Sequence, residues 1–187
     1  MLRKANVLIT GLPGCGKSTL VTRVVDSLRA GGVRVGGIST PEFRGAGGLR
    51  GGFLIHDIAT GAEQIMAAAD LPSRIQVGRY GVDGEAIRAV GVSAINQAVV
   101  TADIVVIDEI GKMELAVPEF ASSVVAAFDS AKPVLGTIGL YLTSPFAAAV
   151  KNRPDVTMLT LRRGDQEAIY RRVVDLLALT DLQEREG

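Results

Sequence analysis

Residues 11–18 read Gly-Leu-Pro-Gly-Cys-Gly-Lys-Ser, the pattern G-x-x-x-x-G-K-[ST]. The apolar run Ala5-Asn6-Val7-Leu8-Ile9-Thr10 precedes it, and a helix-like stretch from Lys17 to about Arg29 follows. Strand, glycine turn and helix form the context in which this pattern wraps phosphate. Gly11, Gly14 and Gly16 let the backbone turn tightly and aim successive N–H groups at phosphate oxygens. Leu12, Pro13 and Cys15 fill the loop between them, and Thr19 continues the helix. The helix start adds unpaired N–H groups and a partial positive charge. Lys17 is placed to reach the β- and γ-phosphates, and the Ser18 hydroxyl to ligate Mg²⁺. The chain is therefore expected to bind the phosphates of a nucleotide.

Strand and helix signals alternate at both ends of the chain. A helix over 17–29 carries Leu20, Val21, Val24, Val25 and Leu28 on one stripe, and Gly31-Gly32 stops it. A strand over 33–39 and a glycine-rich loop, Gly45-Ala46-Gly47-Gly48, come next. Leu49 to Ile58, turning at Ala59-Thr60-Gly61 into Ala62 to Ala67, reads as an antiparallel hairpin. Residues 70–82 read as loop with a short strand over 75–77. Asp83 caps a helix to about Val100, with Ile87, Val90, Ala94, Ile95 and Ala98 inward. The unbroken apolar run 103–108 is a buried parallel strand. Helices over 118–130, 144–152 and 165–179 then alternate with strands over 133–138 and 156–161, and the tail 182–187 is expected to fray. This order implies an α/β fold, with helices on both faces of a mainly parallel sheet that the hairpin extends antiparallel. No repeat or linker divides the chain, so one domain over residues 1–187 is expected.

Asp108-Glu109 closes the buried strand. A carboxylate there faces the same sheet edge as the phosphate loop. Asp108 is the expected Mg²⁺ residue opposite Ser18, acting through a metal-bound water. A second carboxylate beside it, Glu109, can orient and polarise a water for attack on the γ-phosphorus. The stretch from Lys17 to Asp108 has room for two intervening strands. The strand over 133–138 is then expected to insert between the first strand and the Asp108 strand. Its end would bring Thr137 near the γ-phosphate as a sensor of its hydrolysis. Transition-state charge calls for a further cation, and Arg79, Lys112 and Arg153 are the candidates.

Bulk properties exclude other classes. Net charge is zero, which gives no pull toward nucleic acid or an anionic membrane, and no apolar run approaches a membrane span. Cys15 is the single cysteine and His56 the single histidine, so neither an intrachain disulfide nor a Cys/His metal cluster can form. The amino terminus lacks the apolar core of a signal peptide, and a cytoplasmic location is expected. The [NT]-K-x-D signature of guanine recognition is missing, since Lys151-Asn152-Arg153-Pro154-Asp155 has the wrong order.

Gly-Leu-Pro-Gly-Cys-Gly-Lys-Ser-Thr at 11–19 and Val-Ile-Asp-Glu-Ile-Gly-Lys-Met-Glu-Leu at 106–115 together resemble a family of small P-loop nucleoside-triphosphatases, also called cancer-related nucleoside-triphosphatase. Gly52-Phe53 after Arg44 and Arg50, Arg79-Tyr80-Gly81-Val82-Asp83, and Ser144-Pro145-Phe146 with Arg153-Pro154-Asp155 fit the same family in the same order. The resemblance implies a RecA-like three-layer sandwich and slow hydrolysis of several nucleoside triphosphates to diphosphate and phosphate. It places phosphate binding on 11–18 and a second nucleotide-contacting stretch at about 104–111, which includes Asp108, Glu109, Ile110 and Gly111. Members often carry histidine after the strand over 133–138. Here that stretch reads Gly139-Leu-Tyr-Leu-Thr143.

Two other readings use the same loop. A small-molecule or nucleic-acid kinase would need an acceptor pocket and an arginine-rich lid, for which the stretch 44–50 is the one candidate. A nucleotide-gated binding module would use slow turnover as a timer. Glu109 and the neutral charge favour hydrolysis, with a nucleoside triphosphate as the partner molecule.

Overall fold

The computed structural model describes residues 2–45 and 50–177. Five parallel strands carry the centre: β1 (Asn6–Gly11), β2 (Val35–Ser39), β8 (Ile104–Ile110), β9 (Val134–Gly139) and β10 (Val156–Thr160). Their spatial order is β10-β1-β9-β8-β2. β9 thus lies between β1 and β8, as the sequence predicts, with Ile9 opposite Thr137 and Ile107 opposite Gly136. In a parallel sheet every strand ends on one edge, so the loops after β1, β8 and β9 meet there.

β4 (Arg50–Asp57) pairs antiparallel with β2 and carries the sheet on through β5 (Glu63–Ala68), β7 (Tyr80–Val82) and β6 (Ile75–Val77). The predicted turn at 59–61 forms as Asp57 Oδ1 accepts the Ala59 N–H at 2.8 Å. Two short strands depart from the expectation. β7 falls within the stretch whose sequence predicts loop, and β3 (Glu42–Arg44), paired with β4, has no strand signal in the sequence. Each has only three residues, too few for a period-two pattern to register. Residues 46–49 of the glycine-rich loop and residues 178–187, which hold the end of the expected final helix and the tail expected to fray, lie outside the described residues.

Side chains leave β1 in alternation, and that alternation builds the two cores. Val7 and Ile9 pack against α1 (Lys17–Ala30) and α6 (Gln166–Leu177). Leu20, Val21, Val24 and Leu28 from α1 meet Tyr170, Val173 and Leu177 from α6 there. Leu8 faces the other way, toward α3 (Ser93–Thr101), α4 (Pro118–Asp129) and α5 (Pro145–Lys151). Ile95, Phe120, Val124, Phe128 and Val150 fill that side. Helices on both faces of one sheet make three layers. Asp83 caps the short α2 (Gly84–Ala86), its carboxylate accepting the Glu85 and Ala86 N–H groups. The helix then runs through a π-helical stretch over Ile87–Val92 into α3. The five predicted inward residues of this helix are all buried.

Candidate active site

The phosphate loop joins β1 to α1 at the sheet edge. Gly16 has φ +99°, a left-handed conformation that only glycine adopts without strain. It turns the chain into α1, and the Leu20 N–H closes the first helical turn on the Gly16 carbonyl at 3.0 Å. α1 has no side-chain cap and no acidic residue in its first turn. Its first N–H groups are therefore free to face an anion. Lys17 Nζ donates to the Gly11 carbonyl at 3.4 Å, folded over the loop it serves. The loop is braced from α6, where the Gln166 amide donates to the Cys15 carbonyl at 2.9 Å and accepts the Gly164 N–H at 3.2 Å. No sequence motif marks Gln166. An open groove of about 600 Å³ starts at Ser18 and Thr19 and continues over Thr22, Arg23 and Asp26.

Across the edge, β8 ends in an irregularity that decides the chemistry. Ile107 pairs with Gly136 but Ile110 with Ile138, so Asp108 and Glu109 together oppose the single residue Thr137. Strict alternation would send consecutive side chains to opposite faces, and an extra residue in the strand re-aims them. The Asp108–Glu109 peptide is cis. Asp108 is buried, and Thr137 Oγ1 donates to its Oδ1 at 2.5 Å. Burial pushes the Asp108 carboxyl up, while hydrogen bonds from Thr137 and Ser18 and the Lys17 charge oppose the rise. Glu109 is half-buried. Burial raises it as well, with Lys17 pulling down and Asp108 pushing up. Ser18, Lys17, Asp108, Glu109 and Thr137 thus form one constellation, as the sequence predicts. Thr137 meets the buried carboxylate directly, which sequence reading placed only near the γ-phosphate.

Three neighbours join the site from outside the phosphate loop and the paired carboxylates. Thr40, just past β2, hydrogen-bonds the Asp108 carbonyl and the Glu109 N–H. Glu114 starts a short 3₁₀ turn, Glu114–Ala116, and is buried. Burial raises its carboxyl to about 8, and Glu109 and Asp108 push the same way. Lys151 Nζ donates to the carbonyls of Gly139, Leu140 and Leu142, pinning the loop after β9.

The cation candidates divide. Lys112 is exposed two residues beyond β8. Arg79 lies in the β6–β7 turn and donates to the Tyr80 hydroxyl at 3.0 Å, with β2, β4 and β5 between it and β8. Arg153 cannot serve. It precedes β10, whose first residue, Val156, pairs with Asn6 at the start of β1, the edge opposite the phosphate loop. There its guanidinium is held by Asp129 at 2.6 Å and Asp155 at 2.8 Å.

A 5-1-4-3-2 order of parallel strands, a glycine loop at the end of the first and paired carboxylates at the end of the third define a P-loop enzyme of the RecA-like kind. Comparison narrows the class. The family model described as NTPase matches residues 6–174, and the chain belongs to that family. It is 49% identical over 133 residues to the nucleoside-triphosphatase THEP1 of Thermofilum pendens, covering 71% of this chain and 72% of the relative. It is 35% identical to that of Korarchaeum cryptofilum over 99% of this chain and 95% of the relative. The crystal structure of THEP1 from the hyperthermophile Aquifex aeolicus superposes with a TM-score of 0.82 at 30% identity, covering 92% of this chain and 98% of that one. Among the described residues, no helix is long and apolar enough to cross a membrane.

Proposed function

We propose that this chain hydrolyses nucleoside triphosphates to diphosphate and phosphate with Mg²⁺, using Glu109 to position the attacking water. The observation that carries this reading is the two-for-one irregularity at Asp108-Glu109, which puts two carboxylates beside Lys17. The phosphate loop, Gly11 to Ser18 with Thr19, binds the triphosphate through backbone N–H groups and Lys17. The same reading gives Ile110 and Gly111 to the nucleotide-contacting stretch.

The donor set suits magnesium. Ser18 and Asp108 are hard oxygen groups on facing sides of the site, and a dication would reverse the penalty on the buried Asp108 carboxylate. Ser18 and Asp108 would hold the ion, which supplies charge neutralisation on the phosphates when bound. Glu109 accepts a proton from the water lined up with the γ-phosphorus, and Lys17 stabilises the charge that builds on the phosphoryl oxygens.

The groove beside Ser18 and Thr19 is bordered by Thr22, Arg23 and Asp26. Tolerance among ATP, GTP, CTP and UTP is part of this reading, in keeping with relatives named nucleoside-triphosphatases. Among the described residues all ten strands join one sheet, which supports action as a single domain. A lone cysteine inside the phosphate loop supports a reducing, cytoplasmic setting.

The test is a product analysis with a metal titration. Incubation with each triphosphate should give diphosphate and free phosphate in equal amounts, dependent on Mg²⁺ and abolished by chelation. Lys17→Ala should lose nucleotide binding. Tight binding without phosphate release, or phosphate appearing only on an added acceptor, would refute hydrolysis.

A further inference from the structure

β8 stops pairing regularly with β9 at Ile107, one residue before the reacting carboxylates. On its other side the β2–β8 ladder ends at Ser39 opposite Asp108. Neither ladder pairs Glu109. A side chain from outside both motifs does. The Thr40 hydroxyl donates to the Asp108 carbonyl at 3.1 Å and accepts the Glu109 N–H at 3.2 Å. One hydroxyl satisfies both polar groups of one peptide unit, the unit from which the Glu109 side chain departs. Thr40 is itself held in place. Ser39 before it is in β2, and the Pro41 carbonyl after it accepts the Leu54 N–H from β4 at 2.9 Å.

We infer that Thr40 is a positioning residue for hydrolysis: its hydroxyl fixes the Asp108–Glu109 peptide so that the Glu109 carboxylate points at the attacking water. The inference rests on the water-positioning role of Glu109. It requires a group that donates and accepts at once, which serine supplies and valine does not. Valine keeps the shape of threonine but leaves the Asp108 carbonyl and the Glu109 N–H without their partner. The peptide then turns to find other partners, and the carboxylate turns with it. Phosphate binding is untouched, because Thr40 is on the far side of β8 from the phosphate loop, with β9 also between them. The predicted loss therefore falls on kcat. A merely structural threonine would lower the melting temperature and leave the turnover of the folded fraction unchanged.

The experiment compares Thr40→Val, Thr40→Ser and Glu109→Gln with the wild type. It measures ATP hydrolysis with Mg²⁺ and ADP affinity in parallel, corrected for the folded fraction. Thr40→Val should lose at least about tenfold in kcat, with KM and ADP affinity within about threefold of wild type. Thr40→Ser should retain most of the turnover. A Thr40→Val kcat within twofold of wild type overturns the inference, as does a Thr40→Ser variant that falls as far as Thr40→Val. Should Thr40→Val not fold, Thr40→Ala against Thr40→Ser carries the same comparison. If Glu109→Gln hydrolyses at the wild-type rate, the role of Glu109 fails and the inference falls with it. If Glu109→Gln is inactive and Thr40→Val is active, only the inference fails.

Discussion

Replacing Gly111 by alanine puts a methyl group between two carboxylates. The new Cβ would stand 2.5 Å from Glu114 Oε2 and 3.1 Å from Glu109 Oε1. The first distance is shorter than carbon and oxygen tolerate, so something must move. Glu114 has nowhere to go. It is 3% exposed, and the N–H groups of Gly111 and of Glu114 itself hydrogen-bond its carboxyl. Overpacking of this kind costs about 1–3 kcal/mol. For a chain of this size that is a fall of about 2–12 °C in melting temperature. Glu109 Oε1, at 3.1 Å, need give by only a few tenths of an ångström, and Glu109 is half-buried with room to do so. A displacement of about 1 Å in a catalytic group costs about 100-fold in rate. Gly111→Ala should therefore lose about threefold to tenfold in phosphate release while still binding nucleotide. Calorimetry and a phosphate-release assay read the two effects separately. A variant that melts within 1 °C and turns over within twofold of wild type would refute the packing of Glu109 and Glu114 across Gly111.

Glu114 also gives a pH dependence. Its folded value, raised to about 8, exceeds the ordinary 4.5, so the folded state holds its proton longer than the unfolded state. The stability it contributes is complete below pH 4.5 and is lost as pH rises toward 8, by up to about 1.4 kcal/mol per pH unit. Without metal or nucleotide, melting curves of Glu114→Gln should show a smaller fall between pH 5 and 8 than wild type; parallel curves would contradict the burial. Thr137→Val removes the hydroxyl that donates to buried Asp108, at a cost of about 1.5–3 kcal/mol. It should weaken Mg²⁺-dependent turnover far more than metal-free nucleotide binding, and unchanged turnover would count against it. Gln166→Leu frees the Cys15 carbonyl from α6, at a cost of about 1 kcal/mol. Nucleotide affinity should fall about fivefold, read by titration, and an unchanged affinity would show that the loop needs no brace.

The phosphate loop and the alternation of strands and helices were legible because each is local. A glycine pattern between an apolar run and an amphipathic helix needs no distant residue to be read, and Leu20, Val21, Val24, Val25 and Leu28 are all buried on α1. The place of β9 between β1 and β8 was legible from chain order. The irregularity at Asp108-Glu109 was not. Two adjacent carboxylates in a strand read as one inward and one outward, and only the register against Thr137 turns both to the same edge. Thr40 and Gln166 act by contact with residues far along the chain, so no pattern marks them, and Glu114 is visible only as one residue of the 106–115 stretch. Arg153 shows the converse error. Its charge alone makes it a candidate, yet its position just before a parallel strand already places it on the edge away from the loops that bind phosphate.

The most direct test of the account compares wild type with Glu109→Gln under saturating ATP, GTP, CTP and UTP with Mg²⁺, with nucleotide affinity measured in parallel. Wild type should release phosphate from several of them, while the variant binds each with near wild-type affinity and turns over at least about 100-fold more slowly. A variant that hydrolyses as fast as wild type would contradict Glu109 as the residue that positions water, and with it the central claim.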